Sequence, residues 1–252
     1  MSPYVAEFVG TMILVLLGNG VCANVNLTKT LGNDSGWIVI ATGWGLAVAF
    51  AVYLVNAHSG AHLNPAVTIG LAVIGEFAWT EVGGYVWTEI GGYIAAQMVG
   101  AIAGATLVWL TYLPHWKATE NPGNIRGCFC TAPAIPHTVG NLITEIIGTF
   151  VLMLGVLAIL TPENLVPNTG FDKGFAPALV GLMVWSIGLS IGGPTGYAIN
   201  PARDLGPRIA HAILPIAGKG DSGWNYSWIP VAGPIIGGVI GALFYQAVWP
   251  VS

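Results

Sequence analysis

Charge is what this sequence has least of. Only 7% of its 252 residues are Asp, Glu, Lys or Arg, while 54% are hydrophobic. A soluble domain carries about a quarter charged residues, so an ordinary water-facing surface is excluded. The net charge of −4 comes with no basic run, which excludes a nucleic-acid footprint. Cysteine is scarce as well. Cys22, Cys128 and Cys130 cannot all pair with one another, and Cys128-Phe129-Cys130 has no second pair elsewhere. Neither a disulfide framework nor a metal centre is therefore expected, and nothing implies a cofactor. No nucleophile–base set stands out, so an enzyme is the weakest candidate. No basic leader precedes the apolar run that starts at Pro3-Tyr4-Val5, and no cleavable signal is expected there.

Apolar length is what the sequence has in plenty. Six stretches, roughly 4–23, 37–56, 86–112, 140–160, 175–193 and 227–249, are apolar throughout. Each matches the length of about 20 residues that a helix needs to cross a hydrocarbon core. Backbone groups in lipid must be satisfied within the segment, so the stretches are expected as helices. The expectation is an all-α membrane protein in one transmembrane domain, residues 1–252, embedded in a lipid bilayer. Most tryptophans (Trp79, Trp87, Trp109, Trp116, Trp224, Trp228, Trp249) fall near span ends, where they read as interfacial anchors. Trp44 lies inside the second span and is not explained that way.

One stretch occurs twice. Gly60-Ala61-His62-Leu63-Asn64-Pro65-Ala66-Val67-Thr68-Ile69-Gly70 recurs as Gly196-Tyr197-Ala198-Ile199-Asn200-Pro201-Ala202-Arg203-Asp204-Leu205-Gly206. Each copy starts a helix, with Asn as N-cap and Pro at the first helical position, where its missing N–H costs nothing. The apolar segments that follow, to about Ile74 and about Leu214, are too short to cross ~30 Å of hydrocarbon at ~1.5 Å per residue. They are expected as re-entrant half-helices. Other signals repeat in step: Ala6-Glu7-Phe8-Val9-Gly10-Thr11 with Thr144-Glu145-Ile146-Ile147-Gly148-Thr149, Gly45-Leu46 with Gly181-Leu182, and Gly100/Gly104 with Gly237/Gly241. Three spans per half make the second half enter from the opposite side. The pattern is an inverted 3+3 repeat, residues about 1–112 and 140–252, joined by a loop 113–139, with its special site at the midplane.

Two half-helix N-termini meeting there would bring about half a positive charge each into a low-dielectric region. Asn64 and Asn200 would add amide donors. A cation is repelled at such a point and a neutral hydroxyl compound is not, so the device selects by electrostatics rather than by size. Residues just before the prolines cannot be helical. The carbonyls of Gly60, Ala61, His62, Leu63, Gly196, Ala198 and Ile199 are therefore free to line a water-filled passage. Glu7 and Glu145 are intramembrane carboxylates, read either as a proton relay or as anchors for the N–H groups of the two loops. Their matched places in the two repeats favour anchoring. Arg203, where the first copy has Val67, is expensive in a buried half-helix unless it faces water, so a pore-lining role is expected. Asp204 lies at a different angle on the helix and is not expected to pair with it. His62 is expected as a packed, hydrogen-bonded imidazole, and His58, His115, His137 and His211 as loop or helix-end residues. Lys29, Lys117, Arg126 and Lys219 face one side and Lys173 the other, so the positive-inside rule would put the termini outside.

With these motifs in place, the whole chain resembles the aquaporin superfamily, and within it the aquaglyceroporins of the bacterial glycerol-facilitator type. The resemblance implies a right-handed aquaporin-like bundle, both termini in the cytoplasm, the plasma membrane as location, and a homotetramer with one pore per subunit. It implies a selectivity filter of Trp44, Gly188, Tyr197 and Arg203, and a pore centre of Asn64, Pro65, Ala66, Asn200, Pro201 and Ala202. The implied activity is passive diffusion of small uncharged solutes, glycerol and similar polyols with water, and exclusion of protons and ions. The alternative is a channel narrower in scope, for water, urea or a protonated short hydroxy acid. Tyr197 departs from the subgroup, which has Phe in that place; its hydroxyl would narrow the slot, add a hydrogen bond or reach bulk water.

Overall fold

The computed structural model describes residues 1–77, 86–161, 164 and 171–249, without the side chains of 86–88 and 171–173. Trp79 lies outside the described residues, as do the side chains of Trp87 and Lys173. The described residues form helices only. In chain order these are α1 (Pro3–Asn26), α2 (Trp37–Ser59), α3 (Pro65–Val73), α4 (Val86–Thr111), α5 (Leu113–Ala118), α6 (Pro122–Gly127), α7 (Thr138–Leu160), α8 (Phe171–Ile191), α9 (Pro201–Ile213) and α10 (Ile229–Val248). Six of them, α1, α2, α4, α7, α8 and α10, are long and apolar enough to cross a membrane. Exposed Leu46, Phe50, Ile147, Leu182 and Leu243 lie on their outer faces, as lipid-facing positions require.

The short helices α3 and α9 begin where Asn-Pro predicts. Asn64 Oδ1 accepts from Ala66 N at 2.9 Å, and Asn200 Oδ1 from Ala202 N at 3.0 Å and Arg203 N at 3.2 Å. With 9 and 13 residues, they extend roughly 14 and 20 Å, too short to span.

Contacts between elements come in matched pairs. α1 packs on α4 as α7 packs on α10; α3 crosses to α10 in the other half as α9 crosses to α4; α2 meets α8 at the centre. Small residues make these approaches possible. A Cβ on Gly45 would lie 2.8 Å from Gly181 O, and one on Gly181 2.5 Å from Gly45 O. Gly100 and Gly104 lie against the carbonyls of Phe8 and Met12, and Gly237 and Gly241 against those of Ile146 and Phe150. The half-helices are seated likewise: a Cβ on Gly206 would lie 2.5 Å from Ala101 Cβ, and one on Gly238 2.9 Å from Ala66 O.

Two expectations need correction. The joining segment 113–139 is not simply a loop, since it carries α5 and α6. Pro114 and Pro122 sit in their first turns, and Asn121 Oδ1 caps α6 through Gly123 N at 2.8 Å. Trp116 is not an interfacial anchor: it is 2% exposed, with its indole N–H donating to Trp109 O at 2.9 Å. Here the connection folds back onto the bundle and uses the ring as core. His211 lies in the last turn of α9, a helix end as expected. It is fully buried, with Nδ1 2.9 Å from Ser222 Oγ, because residues 215–228 cover the end of α9.

Candidate functional site

The segments ahead of α3 and α9 have the backbone needed to present carbonyls. φ is positive at Gly60 (76°), Ala61 (50°) and Leu63 (51°), and again at Gly196 (79°), Tyr197 (38°) and Ile199 (43°). Left-handed residues alternating with ordinary ones turn successive N–H groups to one side, which makes an anion-binding nest. A carboxylate sits in each nest. Glu7 Oε1 accepts from His62 N at 2.9 Å and Oε2 from Leu63 N at 2.7 Å. Glu145 accepts from Ala198 N at 3.0 Å and Ile199 N at 2.8 Å. Left-handed non-glycine residues cost of order 1–3 kcal/mol each; charge-assisted bonds to a buried carboxylate offset that cost. With the N–H groups turned to the carboxylates, the carbonyls face the opposite way.

The two anchors are not equally equipped. Glu7 also accepts from Ser59 Oγ at 2.7 Å and Gln97 Nε2 at 2.8 Å. The repeat partner of Gln97 is Pro234, which has nothing to donate, and Glu145 does without that bond.

The two loops meet tip to tip. Asn64 Nδ2 donates to Ile199 O at 2.8 Å, and Asn200 Nδ2 donates to Leu63 O at 2.8 Å. Each Asn thus gives its oxygen to its own helix and one N–H to the other half's loop. An amide NH2 has two donors, so each Asn keeps a second N–H beyond the one given to the opposite loop. Both residues stand on the wall of a cavity of about 840 Å³. At one end that wall carries Asn56, Glu76, Thr161, Tyr245 and Trp249; at the other, Trp44, Tyr197 and Arg203. Apolar Val48, Val52, Val67, Leu71, Val156 and Val184 make up much of the rest.

Gly60, Ala61, His62, Leu63, Ala198 and Ile199 are on this wall, and Gly196 is not. Gly196 N donates to Gly192 O at 2.8 Å just as Gly60 N donates to Asn56 O at 3.0 Å; what differs is that Gly196 lies against Thr131, which a Cβ there would meet at 3.3 Å. His62 is packed as expected, Nδ1 3.1 Å from Thr68 Oγ1 and its ring 4.9 Å from Phe77 and 5.1 Å from Tyr93.

At the far end the Arg203 guanidinium lies over the Trp44 ring, Cζ 4.0 Å from the centroid. Gly188 does not reach the wall. It leaves room for Tyr197, whose Cζ would lie 2.8 Å from a Cβ at that position. The Tyr197 ring meets Trp37 edge-on at 5.7 Å, and Trp37 Nε1 donates to Gly188 O at 2.9 Å. Among the described residues the buried Tyr197 hydroxyl oxygen has no hydrogen-bond partner. Of the three places expected for it, it reaches neither a partner nor bulk water, because the ring is turned toward Gly188.

Asp204 does not pair with Arg203. It accepts from Arg208 Nε at 2.9 Å and Nη2 at 2.7 Å, and from Thr131 N at 2.7 Å and Oγ1 at 2.6 Å. Arg208 in turn donates to Ser222 O, Gly223 O and Thr131 O. This buried network ties both flanking connections to the helix that carries Arg203. The spacing of Asp204 and Arg208 was a legible signal for the pair, but nothing in the sequence pointed to Thr131 or Ser222. Cys128 and Cys130 are free and buried. Burial, with Asp204 nearby, pushes the Cys130 thiol up to about 12, so it stays protonated at neutral pH.

Six membrane-length helices around two half-helices that meet head to head, with a cavity running along their junction, are the architecture of a helical membrane channel. The chain belongs to the Major intrinsic protein family, whose profile matches residues 1–245. It is 60% identical over 249 residues to the "Probable glycerol uptake facilitator protein" of Thermotoga maritima, covering 98% of this chain and 99% of that one. It is 55% identical over 247 residues to the "Glycerol uptake facilitator protein" of Bacillus subtilis, covering 98% and 85%. In three dimensions it is similar to the aquaglyceroporin from Plasmodium falciparum, with TM-score 0.82, 32% identity, and coverage of 98% and 96%.

Proposed function

We propose that this protein is a passive, bidirectional channel for glycerol and similar uncharged polyols, with water also passing, and that it excludes protons and ions. The observation that carries the reading is the exchange between Asn64 and Asn200 at the junction of two helix N-termini. A solute oxygen at that point meets donors on both sides, and a cation meets two positive helix ends. Trp44, Tyr197 and Arg203 act as the selectivity filter, with Gly188 making room for Tyr197. Aromatic faces take the carbon edge of a polyol, and the Arg203 guanidinium takes adjacent hydroxyls. The names carried by relatives at 60% and 55% identity agree with glycerol as the solute.

The channel needs no covalent chemistry and works as a homotetramer in the plasma membrane with both termini cytoplasmic. Against the positive-inside count, Lys219 is occupied structurally. Its Nζ donates to the carbonyls of His211, Ala212 and Leu214 at 3.0, 2.6 and 2.8 Å, neutralising the end of α9. It is therefore a poor topology signal.

Stopped-flow light scattering of proteoliposomes tests the reading. Glycerol equilibration faster than in empty vesicles is expected, and equal rates would remove it.

A further inference from the structure

Trp44 is held from behind by two residues of α1. Its indole N–H donates to Cys22 Sγ at 3.3 Å. One helical turn earlier, Gly18 lies so close under the six-membered ring that a Cβ there would be only 2.3 Å from Cε3 and Cζ3. Both partners are sealed in, Trp44 2% and Cys22 6% exposed. A buried indole N–H needs an acceptor, and the one it has is sulfur, a weak one.

The opposite aromatic wall is seated in a similar way. Gly188 on α8 and Gly192, the residue just past its end, both lie under Tyr197, where a Cβ on Gly192 would be 2.6 Å from Cδ1. Each aromatic of the constriction therefore rests in a notch of small residues, and the depth of the notch sets how far the ring stands into the passage. Cys22 adds a polar consequence. It draws the only donor of Trp44 away from the cavity, so that this wall shows carbon alone and Arg203 supplies the donors.

We propose that Gly18 and Cys22 are specificity-determining positioning residues: Gly18 sets the depth of Trp44, and Cys22 keeps its N–H out of the passage. This rests on the filter reading above. Losing the Sγ acceptor leaves an N–H whose remaining outlet is the cavity, where it binds water or a polyol hydroxyl and tilts the ring toward Arg203. A methyl at Gly18 pushes the ring off α1 with no change of donor.

The test compares glycerol, ribitol and water permeabilities of the full chain in proteoliposomes for wild type, Cys22→Ala, Cys22→Ser, Gly18→Ala and Trp44→Ala. Cys22→Ala should shift the polyol-to-water ratio by about two- to tenfold, the range one neutral hydrogen bond commands. Cys22→Ser, which restores an acceptor, should recover most of that ratio. Gly18→Ala should lower ribitol more than glycerol and glycerol more than water. Gly18→Ala risks misfolding, so Cys22→Ala, which only deletes a sulfur, carries the test alone. A well-folded Cys22→Ala with the wild-type ratio overturns the inference, as does a Cys22→Ser no better than Cys22→Ala. Failure of the filter reading looks different: wild type without glycerol flux, or Trp44→Ala with unaltered selectivity.

Discussion

Asn64 and Asn200 hold each other's loops: each side-chain Nδ2 donates to the carbonyl just before the other Asn, Ile199 O and Leu63 O, both at 2.8 Å. Each oxygen meanwhile caps its own half-helix. Orientation of the amide is thereby fixed at both ends, and the charge pattern at the centre follows from it.

Replacing Asn64 or Asn200 by Asp turns a donor into an anion at the meeting of two helix N-termini. The carboxylate still caps the helix, so folding should survive. It cannot donate to the opposite carbonyl, and it cancels the positive centre. Cation leak measured with a potential-sensitive dye should rise several-fold in Asn64→Asp vesicles. Leak unchanged in both variants would argue that exclusion lies elsewhere.

Gly188→His places a side chain where the Tyr197 ring lies, with its Cβ 2.8 Å from Tyr197 Cζ. The slot should narrow, so glycerol flux should drop by about tenfold or more while water flux is largely kept. Unaltered glycerol permeability in a folded Gly188→His channel would count against the filter.

Arg203→Val removes the guanidinium that lies over Trp44 and leaves the first repeat's residue in its place. Selectivity among solutes should loosen, and ion leak should increase. An ion-leak profile identical to wild type would remove Arg203 from the barrier.

Glu7→Gln keeps one acceptor but offers a donor to groups that are themselves donors, Leu63 N and Gln97 Nε2. At least one buried N–H loses its partner, at a cost of about 1–3 kcal/mol, and the melting temperature in detergent should fall. Equilibrium solute distribution should stay insensitive to a pH gradient in both wild type and variant. Uphill accumulation by wild type that Glu7→Gln abolished would instead make the carboxylate a coupling residue.

Asp204→Asn and Arg208→Met each leave a buried charge without its partner, and about 3–5 kcal/mol of stability should go with either. The double variant should lose less than the two single losses combined, because no lone charge remains. Thermal unfolding of the three variants decides this; simple additivity would show that the pair is not coupled.

Much of this was legible because the bilayer leaves few choices. Apolar length placed all six long helices, and Asn-Pro placed the starts of α3 and α9. The duplicated Glu pointed to the loop N–H groups that the carboxylates hold. What could not be read depended on side-chain direction across elements. The sulfur behind Trp44 comes from α1, and the network around Asp204 draws on Thr131 and Ser222 from two separate connections. Trp116 looked like an anchor because its position near a span end is the same whether the ring faces lipid or core. Gly196 matched Gly60 by repeat and makes the matching backbone bond, yet it lies against Thr131 rather than on the cavity wall.

The account stands on the claim that the junction at Asn64 and Asn200 passes uncharged solutes and refuses protons. The most direct measurement loads one set of proteoliposomes with a pH-sensitive dye and follows glycerol entry and proton entry together. The prediction is glycerol equilibration well above empty vesicles, with proton flux no faster than in them. Proton entry rising in step with glycerol entry would contradict it.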